Sequence, residues 1–169
     1  MHLVIVRHAI AEDREEFAKT GQPDSERPLT KRGRAVMARV AKGLARQVKS
    51  IDVLAASPLV RAAQTAAIIA KEYDGMSVRT VPALEPDREP EALETWLDAQ
   101  RNVNVVAVVG HEPHLGMLIT WLISGLRDSH VTLDKGGACM LEIEGKAEAR
   151  GATLTWSLPP DVLAALSKD

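Results

Sequence analysis

Residues 103 to 113 read Val103-Asn104-Val105-Val106-Ala107-Val108-Val109-Gly110-His111-Glu112-Pro113. The run from Val103 to Val109 is nearly all valine, a β-branched residue that favours extended backbone. It shows no alternation of apolar and polar positions. Such a run suits a central strand covered on both faces, as in a parallel sheet flanked by helices. Gly110 ends the run, and Pro113 reads as the first residue of a helix extending to about Ser124.

Working outward, apolar runs of strand length alternate with longer helical patterns. Strands are expected at residues 2–6, 52–56 and 77–81, and helices at 58–73 and 90–100. Thr30 reads as the N-cap of a helix running to about Val48. Val36, Val40, Leu44 and Val48 recur every four residues and give that helix a buried face. Before it lies a polar stretch, residues 12–28, with Gly21, Pro23 and Pro28. That is long for a plain connection and marks a functional or mobile loop, with room for a short helix at 12–18. Later strands at 139–143 and 152–157 flank a turn at Gly145 or Gly151 and pair as a hairpin. One short helix follows Pro159-Pro160. The alternation predicts an α/β sandwich with a mainly parallel sheet, as one domain over residues 1–169.

Composition bounds the function. Of 169 residues, 46% are hydrophobic and 26% charged, an ordinary balance for a globular protein. The net charge of −2 comes from mixed signs, so nothing argues for nucleic acid. An acidic substrate would have to be held by a few placed cations. The single cysteine, Cys139, excludes an internal disulfide and sits in an apolar run, where an inert buried thiol is expected. No apolar stretch reaches membrane-spanning length. The chain enters its first strand without a leader, which implies a cytoplasmic address.

In parallel α/β sheets, ligands collect beyond the carboxyl ends of the strands. Three of those ends carry unusual polar residues. The first strand ends in Arg7-His8. The second ends in Ser57-Pro58, with Arg61 just inside the next helix, and the valine strand ends in Gly110-His111-Glu112-Pro113. Alone, each has a plain structural explanation: a solvated arginine, a hydrogen-bonded histidine, a helix-starting proline, Ser57 as an N-cap. Their coincidence at one sheet edge points further. Helix amino termini and arginine forks both suit phosphate oxygens.

At these residues the sequence resembles the histidine phosphatase superfamily, also called phosphoglycerate-mutase-like, and within it the SixA-type phosphohistidine phosphatases. Four motifs carry the resemblance, which covers essentially the whole chain. They are Leu3-Val4-Ile5-Val6-Arg7-His8-Ala9, Arg27-Pro28-Leu29-Thr30-Lys31-Arg32-Gly33, Ser57-Pro58-Leu59-Val60-Arg61-Ala62-Ala63-Gln64-Thr65-Ala66 and Val109-Gly110-His111-Glu112-Pro113. The resemblance implies a three-layer sandwich with helices on both faces of a mainly parallel central sheet and antiparallel strands at the carboxyl end. It implies that His8 is a nucleophile that becomes phosphorylated. Arg7, Arg61 and a protonated His111 would bind the phosphoryl oxygens, with no metal and no cofactor. Neighbouring cations would keep His8 neutral.

Two departures matter. Ala9 stands where much of the superfamily has glycine. Residues 10–14 lack the Ser/Thr-rich run of the mutase branch, and the chain is short, which favours an open cleft over a mutase pocket. Glu85, in Ala83-Leu84-Glu85-Pro86, is a possible general acid, with a solvated loop carboxylate as the alternative. Glu112 could serve near His111 or cap the following helix. His114 could border the pocket or lie at the surface. No histidine and carboxylate set has metal-ligand spacing. Asp13 to Glu16 read as a solvated face, and Trp96, Trp121 and Trp156 as core residues.

The expected activity is therefore that of a metal-independent phosphatase acting on protein phosphohistidine, with histidine-containing phosphotransfer domains as the expected substrates. A phosphatase for small phosphate esters or sugar phosphates is the alternative. A non-catalytic phosphate-binding regulatory module is the third reading. Partners would be a phosphorylated protein or small phosphorylated substrate, with neither nucleic acid nor membrane.

Overall fold

A computed structural model describes residues 1–168. Its elements run β1 (His2–Arg7), α1 (Arg14–Ala18), a 3-10 turn (Asp24–Glu26), α2 (Lys31–Gln47), β2 (Val53–Ala56) and α3 (Val60–Ala70). After these come β3 (Val78–Thr80), a second 3-10 turn (Pro82–Leu84), α4 (Pro90–Asp98), β4 (Val105–Gly110) and α5 (His114–Ser124). The chain closes with β5 (Ala138–Ile143), β6 (Ala152–Leu158) and α6 (Pro160–Ala165). The six strands form one sheet in the order β3-β2-β4-β1-β5-β6. The β2–β3, β2–β4 and β1–β4 pairs are parallel, while β5 joins β1 and β6 antiparallel.

Alternate side chains of the central strands feed two cores, because successive Cβ atoms point to opposite faces. Val4, Val6, Leu54, Ala56, Ala107 and Val109 pack with Met37, Val40 and Leu44 of α2, with α3 and with Leu163 of α6. Leu3, Ile5, Val53, Ala55, Val106 and Val108 pack with Leu93 and Leu97 of α4 and with α5. The sheet is thus covered on both sides, which explains the unbroken apolar run of β4. Cys139 is fully buried, and burial pushes its thiol up to about 12. Trp96, Trp121 and Trp156 are half-buried against the two cores. Among the described residues, no helix is long and apolar enough to cross a membrane.

Several boundaries differ from the expected ones for local reasons. Helix α3 starts at Val60 because Leu59, at the N-cap, has extended backbone, and it ends at Ala70. Beyond it the chain turns through left-handed Asp74 (φ 55°) and Gly75 (φ 68°). Pro113 occupies the N-cap of α5, not its first helical position. Thr30 does cap α2, its hydroxyl accepting from the Gly33 N–H at 2.8 Å.

Candidate active site

Register gathers the polar strand ends. Arg7 lies opposite Gly110 across β1–β4, and Ala56 opposite Val109 across β2–β4. The pairing continues one residue further on each side: the His8 N–H donates to the Gly110 carbonyl at 3.0 Å, and the Ser57 N–H to the Val109 carbonyl at 3.0 Å. His8, Ser57 and His111 therefore leave the sheet side by side. Arg61 follows within the first turn of α3.

These strand ends open on a cavity of about 660 Å³. Arg7, His8, Arg61 and His111 all line it, so the structure brings four of the five site residues expected from sequence to one place. Arg14, Asp24, Arg27 and Lys135 line it as well.

The His8 imidazole is 7% exposed, and its Nδ1 lies 2.7 Å from the Ala9 carbonyl oxygen. A carbonyl only accepts, so Nδ1 carries the proton and Nε2 keeps its lone pair. Burial is the chief cause that lowers the His8 pKa to about 4; the Ala9 carbonyl opposes it, and the charges of Arg61, Arg7 and Arg27 add to it. The neighbouring cations expected to keep His8 neutral are thus secondary to burial. Its ring stands 5.1 Å from that of His111, tilted by 54°.

His111 departs from expectation. Its Nε2 is 2.8 Å from Ser57 Oγ, so the Ser57 hydroxyl positions this ring and does not cap α3. Burial first, then the charges of His8 and Arg61, lower its pKa to about 3, so the ring is neutral in the unliganded protein. Its Nδ1 is buried without a protein partner, as are Nε of Arg7 and Nε of Arg61. Three nitrogens on cavity-lining residues thus lack a partner within the protein, where most buried polar groups have one.

The arginines are held from behind. Arg7 donates to the Leu133 carbonyl at 2.7 Å. Arg61, 3% exposed, donates to the Asp24 carbonyl at 2.9 Å and meets the Asp24 carboxylate at 3.2 Å. The same carboxylate accepts from Arg27 at 2.7 Å and approaches Arg14 at 3.5 Å. Burial would raise the Asp24 pKa, but the Arg27 hydrogen bond and the Arg61, Arg27 and Arg14 charges prevail and hold it below the usual range. One carboxylate thus orders three guanidiniums. Thr65 ties the first strand's exit to α3: its hydroxyl accepts from the Ala9 N–H at 3.0 Å and donates to the Arg61 carbonyl at 2.7 Å. Gln64 accepts from the Leu29 N–H at 2.8 Å, fastening the segment that carries Arg27.

The remaining candidates separate. Glu85 does not line the cavity; its carboxylate pairs with Arg88 at 3.0 Å, while Pro86 and Asp87 face the cavity from that segment. Glu112 caps α5, accepting from the Gly116 N–H at 3.1 Å, and also accepts from the Leu133 N–H at 2.8 Å. His114 is fully buried and neither borders the pocket nor reaches the surface. Asp13 caps α1, but Arg14 of the same run turns to the cavity. Among the described residues, no group of three or more His, Cys, Asp or Glu is arranged to hold a metal. Sequence reasoning missed Asp24, Arg14 and Lys135, and it quoted Arg27 without giving it a role. The available signal was the long 12–28 segment, whose end carries Asp24 three residues before Arg27.

Comparison with known proteins agrees with this geometry. Residues 3–85 match the family described as histidine phosphatase superfamily (branch 1). An uncharacterised protein of Picosynechococcus sp. (strain ATCC 27264 / PCC 7002 / PR-6) is 34% identical over 140 residues, covering 81% of this chain and 82% of the relative. The structure of the protein histidine phosphatase SixA complexed with tungstate superposes with a TM-score of 0.80 at 24% identity, covering 96% of this chain and 99% of the other. The alpha-ribazole phosphatase of Shigella flexneri superposes with a TM-score of 0.73 at 21% identity, covering 95% and 97%. At these identities the structural likenesses speak for the fold.

Proposed function

The chain belongs to the histidine phosphatase superfamily, and from that premise we propose that it hydrolyses protein phosphohistidine through a phosphorylated His8, with residues 1–169 acting as one domain. The observation that carries the mechanism is the Nδ1–H bond of His8 to the Ala9 carbonyl, which leaves a neutral Nε2 lone pair. Nε2 attacks phosphorus, the bond to the leaving group breaks, and the phosphoryl group passes to His8. Water then attacks the phosphohistidine, releasing inorganic phosphate and restoring Nε2. Arg7 and Arg61 supply fixed positive charge to the phosphoryl oxygens, the kind of positioning and charge stabilisation this chemistry demands. A bound dianion opposes the causes that hold His111 neutral and favours its imidazolium. The positive charge comes from side chains, so the reaction runs without metal or cofactor.

Phosphohistidine is favoured over an ester because no cavity carboxylate is well placed as a strong acid. Of those that line it, Asp24 is held ionised by its arginines, Glu112 is occupied as a cap and Asp87 is exposed; Glu85, outside the cavity, is held by Arg88. An imidazole leaving group can be protonated before the P–N bond breaks. An alkoxide needs a proton in the site, help typically worth about 10²–10⁴-fold. The test compares a phosphohistidine peptide with a panel of phosphate esters, in EDTA, for wild type and Glu85→Gln. The proposal expects the peptide to be turned over fastest, with chelation and the mutation each changing its rate less than about threefold. A preference for an ester, with large loss in Glu85→Gln, would assign the chain to small phosphate esters instead. Loss in EDTA restored by a divalent ion would overturn metal independence.

A further inference from the structure

The 17 residues of α2, Lys31–Gln47, hold six of the chain's 21 Lys and Arg and none of its 23 Asp and Glu. The rest of the molecule therefore carries the acidic excess. At about 100° per residue, Lys31, Arg32, Arg39 and Lys42 fall within one arc of about 100° on the helix surface. All four are exposed. Arg46 continues the stripe and donates to the carbonyls of Leu166 and Lys168. Among the described residues no carboxylate pairs with Lys31, Arg32, Arg39 or Lys42. A helix of this length spans about 25 Å. Its amino terminus lies next to the site, because Thr30 caps it three residues after Arg27, which lines the cavity.

We propose that this stripe is a docking surface for an acidic face of the protein that presents the phosphohistidine, guiding the phosphorylated side chain toward His8. The inference rests on the phosphohistidine function proposed above. Charge complementarity selects the occupant. The exposed residues between the cations are Ala35 and Ala38, with no bulky apolar side chain to enter a bilayer. The acidic remainder of the molecule repels a long polyanion such as DNA, whereas a folded partner need touch only the stripe. Complementary charge of this kind acts mainly on encounter, raising association rates by about 10–10³-fold and weakening with salt.

The variant K31E/R32E/R39E/K42E tests the proposal, with the corresponding four glutamine changes as a milder control. The probes are a histidine-phosphorylated phosphotransfer domain of net negative charge and a short phosphohistidine peptide. The charge-reversed protein should lose about tenfold or more in kcat/KM on the domain, keep peptide turnover within about twofold, and lose most of the salt dependence on the domain. Equal effects on both substrates, or none on either, would overturn the docking surface. Binding of the unphosphorylated domain, measured by fluorescence anisotropy, separates the two readings. Stripe-dependent binding without phosphohistidine turnover would refute the proposed function and leave the docking surface standing. Turnover that ignores the stripe would do the reverse. Stripe-dependent binding to phosphatidylserine vesicles or duplex DNA, without binding to the domain, would also overturn it.

Discussion

Burial hides His8 from water and also sets its reactivity. An imidazole with its ordinary pKa of 6.5 would be partly protonated near neutrality, and a protonated ring has no lone pair to offer phosphorus. Removing solvent lowers that value to about 4, and the Ala9 carbonyl chooses which nitrogen stays free. Nitrogen chemical shifts of the labelled imidazole, followed in phosphate-free buffer, should therefore show a protonated Nδ1 and an unprotonated Nε2 from pH 8 down to about 5. Titration should begin only as the pH approaches 4; a midpoint near 6.5 would contradict this account. The same shift has a stability consequence of definite sign. Below pH 6.5 the unfolded chain binds protons that folded His8 and His111 refuse, so their contribution falls as pH drops toward about 4 and about 3 respectively. Arg7, His8, Arg61 and His111 were readable in sequence because each stands at a strand end or in the first turn after one. The state of His111 was not readable, since it depends on burial and on the charges of His8 and Arg61, and its ring is positioned by Ser57, 54 residues away.

At the scale of elements, α2 holds two different contacts at glycines. A Cβ at Gly33 would sit 2.0 Å from the Ile10 carbonyl oxygen, and one at Gly43 would sit 1.7 Å from the Leu163 carbonyl oxygen. Backbone, not a flexible side chain, bars both positions. Gly43→Ala and Gly33→Ala should each cost about 1–3 kcal/mol and lower the melting temperature by about 3–10 °C. They should differ in activity. Gly43 joins α2 to α6, neither of which contributes a residue to the cavity wall, so folded Gly43→Ala should keep its kcat/KM within about twofold. Gly33 presses on Ile10, two residues past His8, so Gly33→Ala should lose about tenfold. Thermal melts and assays below the transition check both, and equal activity losses would count against this division. The helix itself was legible from Thr30 and the four-residue apolar spacing. Its approach to residue 10 was not, because a glycine in a sequence does not name what it touches.

Across the whole molecule, sheet topology made the site. Strand order places β4 between β2 and β1, and register then aligns the ends of all three. Alternation of apolar runs was enough to expect a parallel α/β sheet with a closing hairpin, because strand and helix periods are local signals. The Asp24 clamp on Arg61 joins residues 37 apart and is a product of tertiary folding, invisible to any local pattern. The measurement that tests the central claim most directly is chemical trapping of the intermediate. The enzyme is mixed with a ³²P-labelled phosphohistidine peptide, quenched within milliseconds into alkali and digested, and the labelled site is mapped by mass spectrometry and ³¹P NMR. The account predicts alkali-stable, acid-labile phosphate on Nε2 of His8, absent from a folded His8→Ala protein that no longer turns over substrate. Label on Nδ1 or on another residue, or undiminished turnover in folded His8→Ala, would contradict it.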